Sequence, residues 1–256
     1  MSTFNKYAAL SAALLCLGAA PAHSADIQEA PIVEVQQFGG WYLRGDIGMS
    51  NQRLNRLDYS GFDLPEIFGW HEDGEFDAGI TGQIGVGYQF NDWLRADVTA
   101  QYRGKTEFSA LDFYANPSNP SFGDGTNDYS AKKSEWLFLA NAYADLGTYG
   151  GITPYVGAGI GASRNTISDF RDINIIQGAG GYAGSHSEWN LAWALHAGVG
   201  IQATERMTID LGYSYVDLGD GETGTFYNDN GETRGESVKF KDITSHDFKV
   251  GVRYAF

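Results

Sequence analysis

"DFKVGVRYAF", residues 247–256, closes a chain of 256 residues. Phe248, Val250, Val252, Tyr254 and Phe256 occupy every second position, and Asp247, Lys249, Gly251, Arg253 and Ala255 stand between them. Successive side chains of a strand point to opposite faces, so this stretch reads as a strand with one apolar and one polar side.

The same alternation recurs upstream. In "WYLRGDIGMS", Trp41, Leu43, Ile47 and Met49 oppose Arg44, Asp46 and Ser50. In "AGITGQIGVGYQF", Ile80, Ile84, Val86 and Phe90 oppose Thr81, Gln83 and Gln89. "WLRADVTAQYRG" sets Leu94, Val98 and Tyr102 against Arg95, Asp97, Gln101 and Arg103. "EWLFLANAYADL", "ITPYVGAGIGAS", "WNLAWALHAGVGIQA" and "MTIDLGYSYV" continue the pattern, which makes eight strands with the closing one. Short turns join the second to the third, the fourth to the fifth and the sixth to the seventh. The other four connections exceed twenty residues and all fall on one side. An even strand count, strands of roughly ten residues, and short turns facing long loops are the pattern of a transmembrane barrel.

The two faces decide which side meets lipid. Eight strands enclose only enough room for side chains. Trp136, Phe138, Trp189, Trp193, Tyr213, Tyr215, Phe248 and Phe256 could not all fit inside, whereas small and ionic residues could. The expected fold is therefore all-β, an eight-stranded antiparallel transmembrane β-barrel with short periplasmic turns and four long extracellular loops. Closure is obligatory, because lipid cannot hydrogen-bond an open sheet edge.

The beginning of the chain supplies the compartment. Lys6, an apolar run from Tyr7 to Ala20 and "PAHSAD" together read as a signal peptide over 1–24, cut after Ser24, with the bond after Ala25 as alternative. The run is shorter than a membrane helix needs. Residues 25–39 are expected as a periplasmic lead-in and 40–256 as the barrel domain. Cys16, the single cysteine, lies in the removed segment, so the mature chain is expected to hold no thiolate metal site or disulfide. The whole chain carries a net charge of -15. That acidic excess argues against nucleic acid, whose phosphates demand a basic footprint.

Over nearly the whole mature chain, "GWYLRGDIGMS" and "HDFKVGVRYAF" resemble the small outer-membrane β-barrel surface proteins of alphaproteobacteria, often labelled porin-family proteins. On that resemblance, Phe248, Val250, Val252, Tyr254 and Phe256 are the signal read by the barrel assembly machinery, and the chain is expected to stop where that signal must be read, with no peptidoglycan-binding domain after it. Some members of the family bind haemin, which singles out the loop imidazoles His71 and His186. Outer-membrane lipid and lipopolysaccharide are the surroundings it implies.

Other motifs carry little chemistry. Gly157, Gly159 and Gly161 lack the spacing and following helix of a dinucleotide-binding loop, and are expected to leave room for Tyr or Arg across the lumen. Arg44, Asp46, Arg95, Asp97, Asp145, Asp210, Lys249 and Arg253, with Arg103 and Asp247, are expected as a paired lumen network, because an unpaired buried charge is costly. No H-x-S occurs. His246 points away from Ser245 and Asp247, and His196 is expected in the lumen without a serine partner, so no catalytic residue is assigned. Neither long acidic loop matches an EF-hand, and neither metal nor cofactor is expected. The expected function is a structural outer-membrane surface protein that supports envelope integrity and displays acidic loops to host or surface ligands. The alternative is a narrow passive pore or a haemin-uptake protein.

Overall fold

A computed structural model describes residues 39–58, 67–115, 124–176, 178–233 and 235–256. The expected signal peptide and its cleavage bond, and all but Gly39 of the lead-in, lie outside the described residues. So does part of the first acidic loop, residues 59–66.

Twelve strands are described: β1 (Gly40–Arg53), β2 (Arg56–Asp58), β3 (Ile67–Phe76), β4 (Gly79–Gln89), β5 (Leu94–Ala115), β6 (Asn127–Asp145), β7 (Ile152–Asn174), β8 (Gly180–Ala183), β9 (His186–Gln202), β10 (Met207–Glu222), β11 (Phe226–Asn228) and β12 (Lys239–Ala255). Eight of them close a ring in the order β1, β4, β5, β6, β7, β9, β10, β12, with every neighbouring pair antiparallel. The seam joins β1 to β12 from Tyr42 opposite Ala255 to Arg53 opposite Thr244. No ring edge is left open, as a hydrocarbon surround requires.

Burial is inverted relative to a water-soluble barrel. Arg95 and Arg103 are each 0 % exposed, whereas Ile47, Ile80 and Leu191 are 72 %, 78 % and 72 % exposed. Leaving such isoleucines bare makes sense only against lipid, since each would otherwise forgo about 2 kcal/mol of burial. Two aromatic belts frame this surface. Trp41, Phe90, Trp93, Tyr149, Tyr254 and Phe256 lie exposed at the short-turn end, and Tyr102, Trp136, Phe138, Trp189, Trp193 and Phe248 lie exposed toward the other. Nine residues separate Trp93 from Tyr102, which on a tilted strand is a height of about 23 Å, close to the apolar band of a membrane barrel.

Much of what the sequence presents as long loops is strand. β5 has 22 residues and β7 has 23, so both continue well past the upper belt; β3 pairs onto the extension of β5, β8 onto that of β7, β11 onto β8, and β2 onto the first residues of β12. Bulges mark the transition: the register shifts between Arg103 and Thr106, between Ser130 and Lys132, and between Asp217 and Gly219. A bulge inserts an extra residue and tightens the twist. Two non-glycine residues with positive φ, Asp169 (55°) and Asp242 (54°), sit at this level. The carboxylate of Asp220 accepts the backbone N–H of Asp242 at 2.9 Å, which helps hold that left-handed conformation in place.

Candidate functional site

The interior is built in tiers. Nearest the short turns, Arg253 grips Asp210 through Nε to Oδ2 (2.6 Å) and Nη2 to Oδ1 (3.0 Å). Arg95 donates from Nε to Asp145 at 3.0 Å. Its guanidinium carbon lies 4.2 Å from the ring centre of Tyr143 and 4.5 Å from that of Tyr155. Among the described residues Nη1 and Nη2 of Arg95 have no hydrogen-bond acceptor, and these two π faces stand in for one. Gly157 makes room for the Tyr143 ring, because a Cβ there would strike it.

One tier up, Arg44 holds Asp46 through Nε to Oδ2 (2.9 Å) and Nη2 to Oδ1 (2.8 Å), while its Nη1 donates to Asp97 at 3.0 Å. Asp97 also accepts from Tyr42 and from Asn141. Lys249 Nζ donates to Gln83 and Gln101 rather than to a carboxylate. The eight lumen residues singled out from sequence are thus brought into the interior and, apart from Lys249, into ion pairs.

His196 needs a correction. Its Nδ1 lies 2.8 Å from Ser214 Oγ and its Nε2 lies 3.0 Å from Asn141 Oδ1, so a serine partner is present. The pairing crosses from β9 to β10, where Ser214 stands opposite His196, and spacing along one strand does not reveal it. Because Asn141 Nδ2 donates to Asp97, its Oδ1 is the acceptor, so Nε2 carries the proton and Nδ1 accepts from the Ser214 hydroxyl. The cavity beside them, bounded by Arg44, Asp46, Tyr143, His196 and Lys249 among others, measures about 20 Å³. That is space for about one water molecule.

The next tier holds Arg103 and Asp247, the other two charges expected in the lumen, together with Glu135 and Lys133, which sequence reading missed. Arg103 donates from Nη2 to Asp247 at 2.7 Å and lies with Nε 3.0 Å from Glu135 Oε1. Lys133 pairs with the same Glu135 and donates to Gln52 at 2.8 Å. Above it the filling turns apolar: Phe76, Phe108, Ile167, Phe170, Val216, Leu218, Phe226, Phe240 and Ile243 are all buried in one cluster. Phe240 is central, with ring centroids of Phe108 and Phe76 at 5.0 and 6.2 Å. The period-two alternation of Phe108, Ala110 and Asp112 with outward residues was the available signal. It marks a strand beyond the membrane, where the rule about which face is apolar reverses.

The other named residues separate. Phe248, Val250, Val252 and Tyr254 face outward and exposed on β12, and Phe256, the residue after it, is exposed as well. His246 also faces outward, with Nδ1 2.7 Å from Tyr213 Oη, while Ser245 donates inward to Asp247 at 2.6 Å. His71 and His186 sit on strands rather than loops. β3 pairs with β5, and β5, β6 and β7 lie between it and β9, so the two imidazoles are not neighbours. Among the described residues no group of three or more His, Cys, Asp or Glu is placed to hold a metal.

A closed eight-stranded ring with a lipid-facing belt and an ionic filling defines a transmembrane β-barrel of the outer membrane. The chain belongs to the outer membrane protein beta-barrel domain family, whose profile matches residues 11–256. An uncharacterized protein of Brucella abortus (strain 2308) is 30% identical over 94% of each chain. A candidate adhesin of Rickettsia prowazekii (strain Madrid E) is 28% identical over 84% of this chain and 86% of its own. Among solved structures, the outer membrane protease OmpT of Escherichia coli aligns with a TM-score of 0.50 at 8% identity, covering 87% of this chain and 100% of that one. At that identity the likeness concerns the fold. The protein resides in the outer membrane of a Gram-negative cell.

Proposed function

We propose that this is a non-conducting, non-enzymatic surface barrel that stiffens the envelope and uses its extracellular wall for attachment to host or other surfaces. The observation that carries the reading is the double closure of the interior: a tier of paired ions, and an apolar core stacked on top of it. An ion would have to break buried pairs and then cross a dry phenylalanine cluster, each a barrier of several kcal/mol. The same closure weighs against a passive pore. It also weighs against hydrolysis at Ser214 and His196, since a cavity of about 20 Å³ admits no substrate. Separation of His71 from His186 weighs against joint haemin ligation.

Attachment is favoured by where the remaining material lies. Strand extensions raise a rigid wall beyond the membrane, and recognition concentrates on what a rigid scaffold displays. The rickettsial relative's naming as an adhesin agrees with this. Phe248, Val250, Val252, Tyr254 and Phe256 are the assembly signal in this reading, presented on the strand that closes the ring.

Two measurements test it. Planar-bilayer recordings of refolded protein are expected to show no discrete conductance steps, and steps would defeat the closed-lumen half. Surface display in a non-adherent Gram-negative host is expected to raise binding to epithelial cells or extracellular matrix, and unchanged binding to both would defeat the attachment half.

A further inference from the structure

Just beyond the upper aromatic belt, the wall has an acidic side and a cationic side. Glu72 and Glu75 on β3, Asp77 directly after it, and Glu107 on β5 are all exposed. None of the four carboxylates is in an ion pair among the described residues. Two strands further round the ring stand Lys132 on β6 and Arg164 and Arg171 on β7, with both arginines exposed. Neither arginine is in an ion pair among the described residues, and Lys132 has only Asp169, at 3.6 Å with both side chains open to water. Such a pairing is weak. β5 is the boundary, carrying Lys105 as well as Glu107. The two strips share one level. Glu107 is in register with Lys132, and one row of partners runs from Glu75 through Ser109 and Ser130 to Arg171.

The apolar surfaces beneath the strips match in relief as the strips match in charge. Below the cations, Ala142 on β6 is in register with Ala158 on β7 and Ala96 on β5, and Ala140 and Ala162 lie in the rows above. These side chains leave a flat. Below the carboxylates, Ile80 and Ile84 stand 78 % and 71 % exposed on either side of Gly82, where a Cβ would meet nothing within 4 Å. These make ridges. In hydrocarbon, where burial of apolar surface gives no gain, close approach over small residues is what holds two protein surfaces together.

We propose that a second copy of this chain docks alongside the first in the membrane, the β3–β4 side of one barrel against the β6–β7 side of the next. Each side runs unbroken from hydrocarbon into water, so a partner that covers it must itself be embedded. Insertion gives every copy the same height and orientation, which sets carboxylates opposite cations and isoleucine ridges opposite the alanine flat. A chain of -15 repels its own copies at a distance. Salt screens that repulsion beyond about 8 to 10 Å, and the complementary strips decide at contact. Because the two sides differ, the contact is head to tail, and a pair of copies keeps one free side of each kind through which a row or ring extends. The inference rests on the membrane location alone and is independent of the attachment reading and of the lumen.

The test is energy transfer between donor- and acceptor-labelled copies of the refolded mature chain in zwitterionic vesicles, with the dyes on Glu205→Cys in a short turn at the other end of the barrel. Diluting the protein with lipid gives the density at which association is half lost. The parent should show transfer above that of randomly placed copies. Glu72→Lys, Glu75→Lys and, separately, Lys132→Glu, Arg171→Glu should each need about tenfold more protein per lipid or greater, because two attractions become two repulsions. The chain with all four reversals has its sides exchanged and should return to within about threefold of the parent. Arg56→Glu, Lys239→Glu reverses two exposed cations on β2 and β12, away from both sides, and should change association less than about twofold. Heat-modifiable gel mobility verifies that each variant is folded. Transfer at the random level in the parent, a single-side reversal within about twofold of it, a fourfold reversal no better than either single-side one, or an equal loss in the Arg56 and Lys239 control would each overturn the proposal.

Discussion

Glu135 joins two buried cations, so its removal is the sharpest probe of the lumen. Glu135, Lys133 and Arg103 all have side chains that are 0 % exposed. In Glu135→Ala, Arg103 keeps Asp247 and Ser50 as partners, but Lys133 keeps only neutral contacts, the oxygen of Gln52 and the face of Phe76 with its ring centre 5.9 Å away. Breaking a buried pair by deleting one partner costs about 3 to 5 kcal/mol, because the stranded charge has lost its water and its counter-ion. Against a total stability of about 5 to 15 kcal/mol, that is a large share. Urea unfolding in lipid vesicles, followed by tryptophan fluorescence, should therefore show a midpoint well below the parent's. The companion variant Lys133→Met, Glu135→Leu removes both charges and fills the volume, and it should return to within about 1 kcal/mol of the parent. A loss below about 1 kcal/mol for Glu135→Ala, or a double variant weaker than the single one, would refute the claim that paired charges hold the interior.

Three further outcomes are expected. Phe240→Ala opens a cavity among Phe76, Phe108 and Phe170 worth about 3 to 5 kcal/mol locally. The membrane barrel should survive while the extracellular wall becomes sensitive to external protease, and undiminished resistance would contradict a structural cap. Phe256→Asp should leave export intact but cause periplasmic accumulation and proteolysis, whereas normal heat-modifiable barrel in the outer membrane would exclude a role for the terminal aromatic. Last, the pair Asp220 and Lys241, at 2.7 Å above the membrane, couples the wall to acid. Burial pushes the Asp220 carboxyl up, but the hydrogen bond from Lys241 and the Asp242 N–H hold it below its ordinary value of 3.8. A depressed carboxyl stabilises the fold above its unfolded value and loses that contribution as pH falls through the folded one. Protection of the Asp242 amide from hydrogen exchange should therefore persist at pH 5 and weaken below the ordinary carboxylate range, and Asp220→Asn should weaken it at pH 5 already.

The barrel is legible in the chain because a period of two writes the two faces of each strand directly into the sequence. Eight alternating segments, a regular alternation of short and long connections, and too many bulky residues for one lumen leave one architecture. The terminal segment shows this well: Phe248, Val250, Val252, Tyr254 and Phe256 face lipid, and Asp247, Lys249 and Arg253 face inward, on pattern alone.

What pattern cannot convey is which residues meet across strands, because partners lie at separations set by register. Glu135 with Arg103, Ser214 with His196, and Arg95 between Tyr143 and Tyr155 arise only when neighbouring strands pair in register, and Arg103 meets Asp247 only when the ring closes. The extracellular cap is a second case. In Phe108 to Asp112 the alternation persists, but water has replaced lipid outside, so apolar side chains turn inward, and no local feature of the sequence marks the height at which the solvent changes. Local chemistry thus determined the strands and their faces, while closure and the position of the membrane decided the pairs, the plug and the wall.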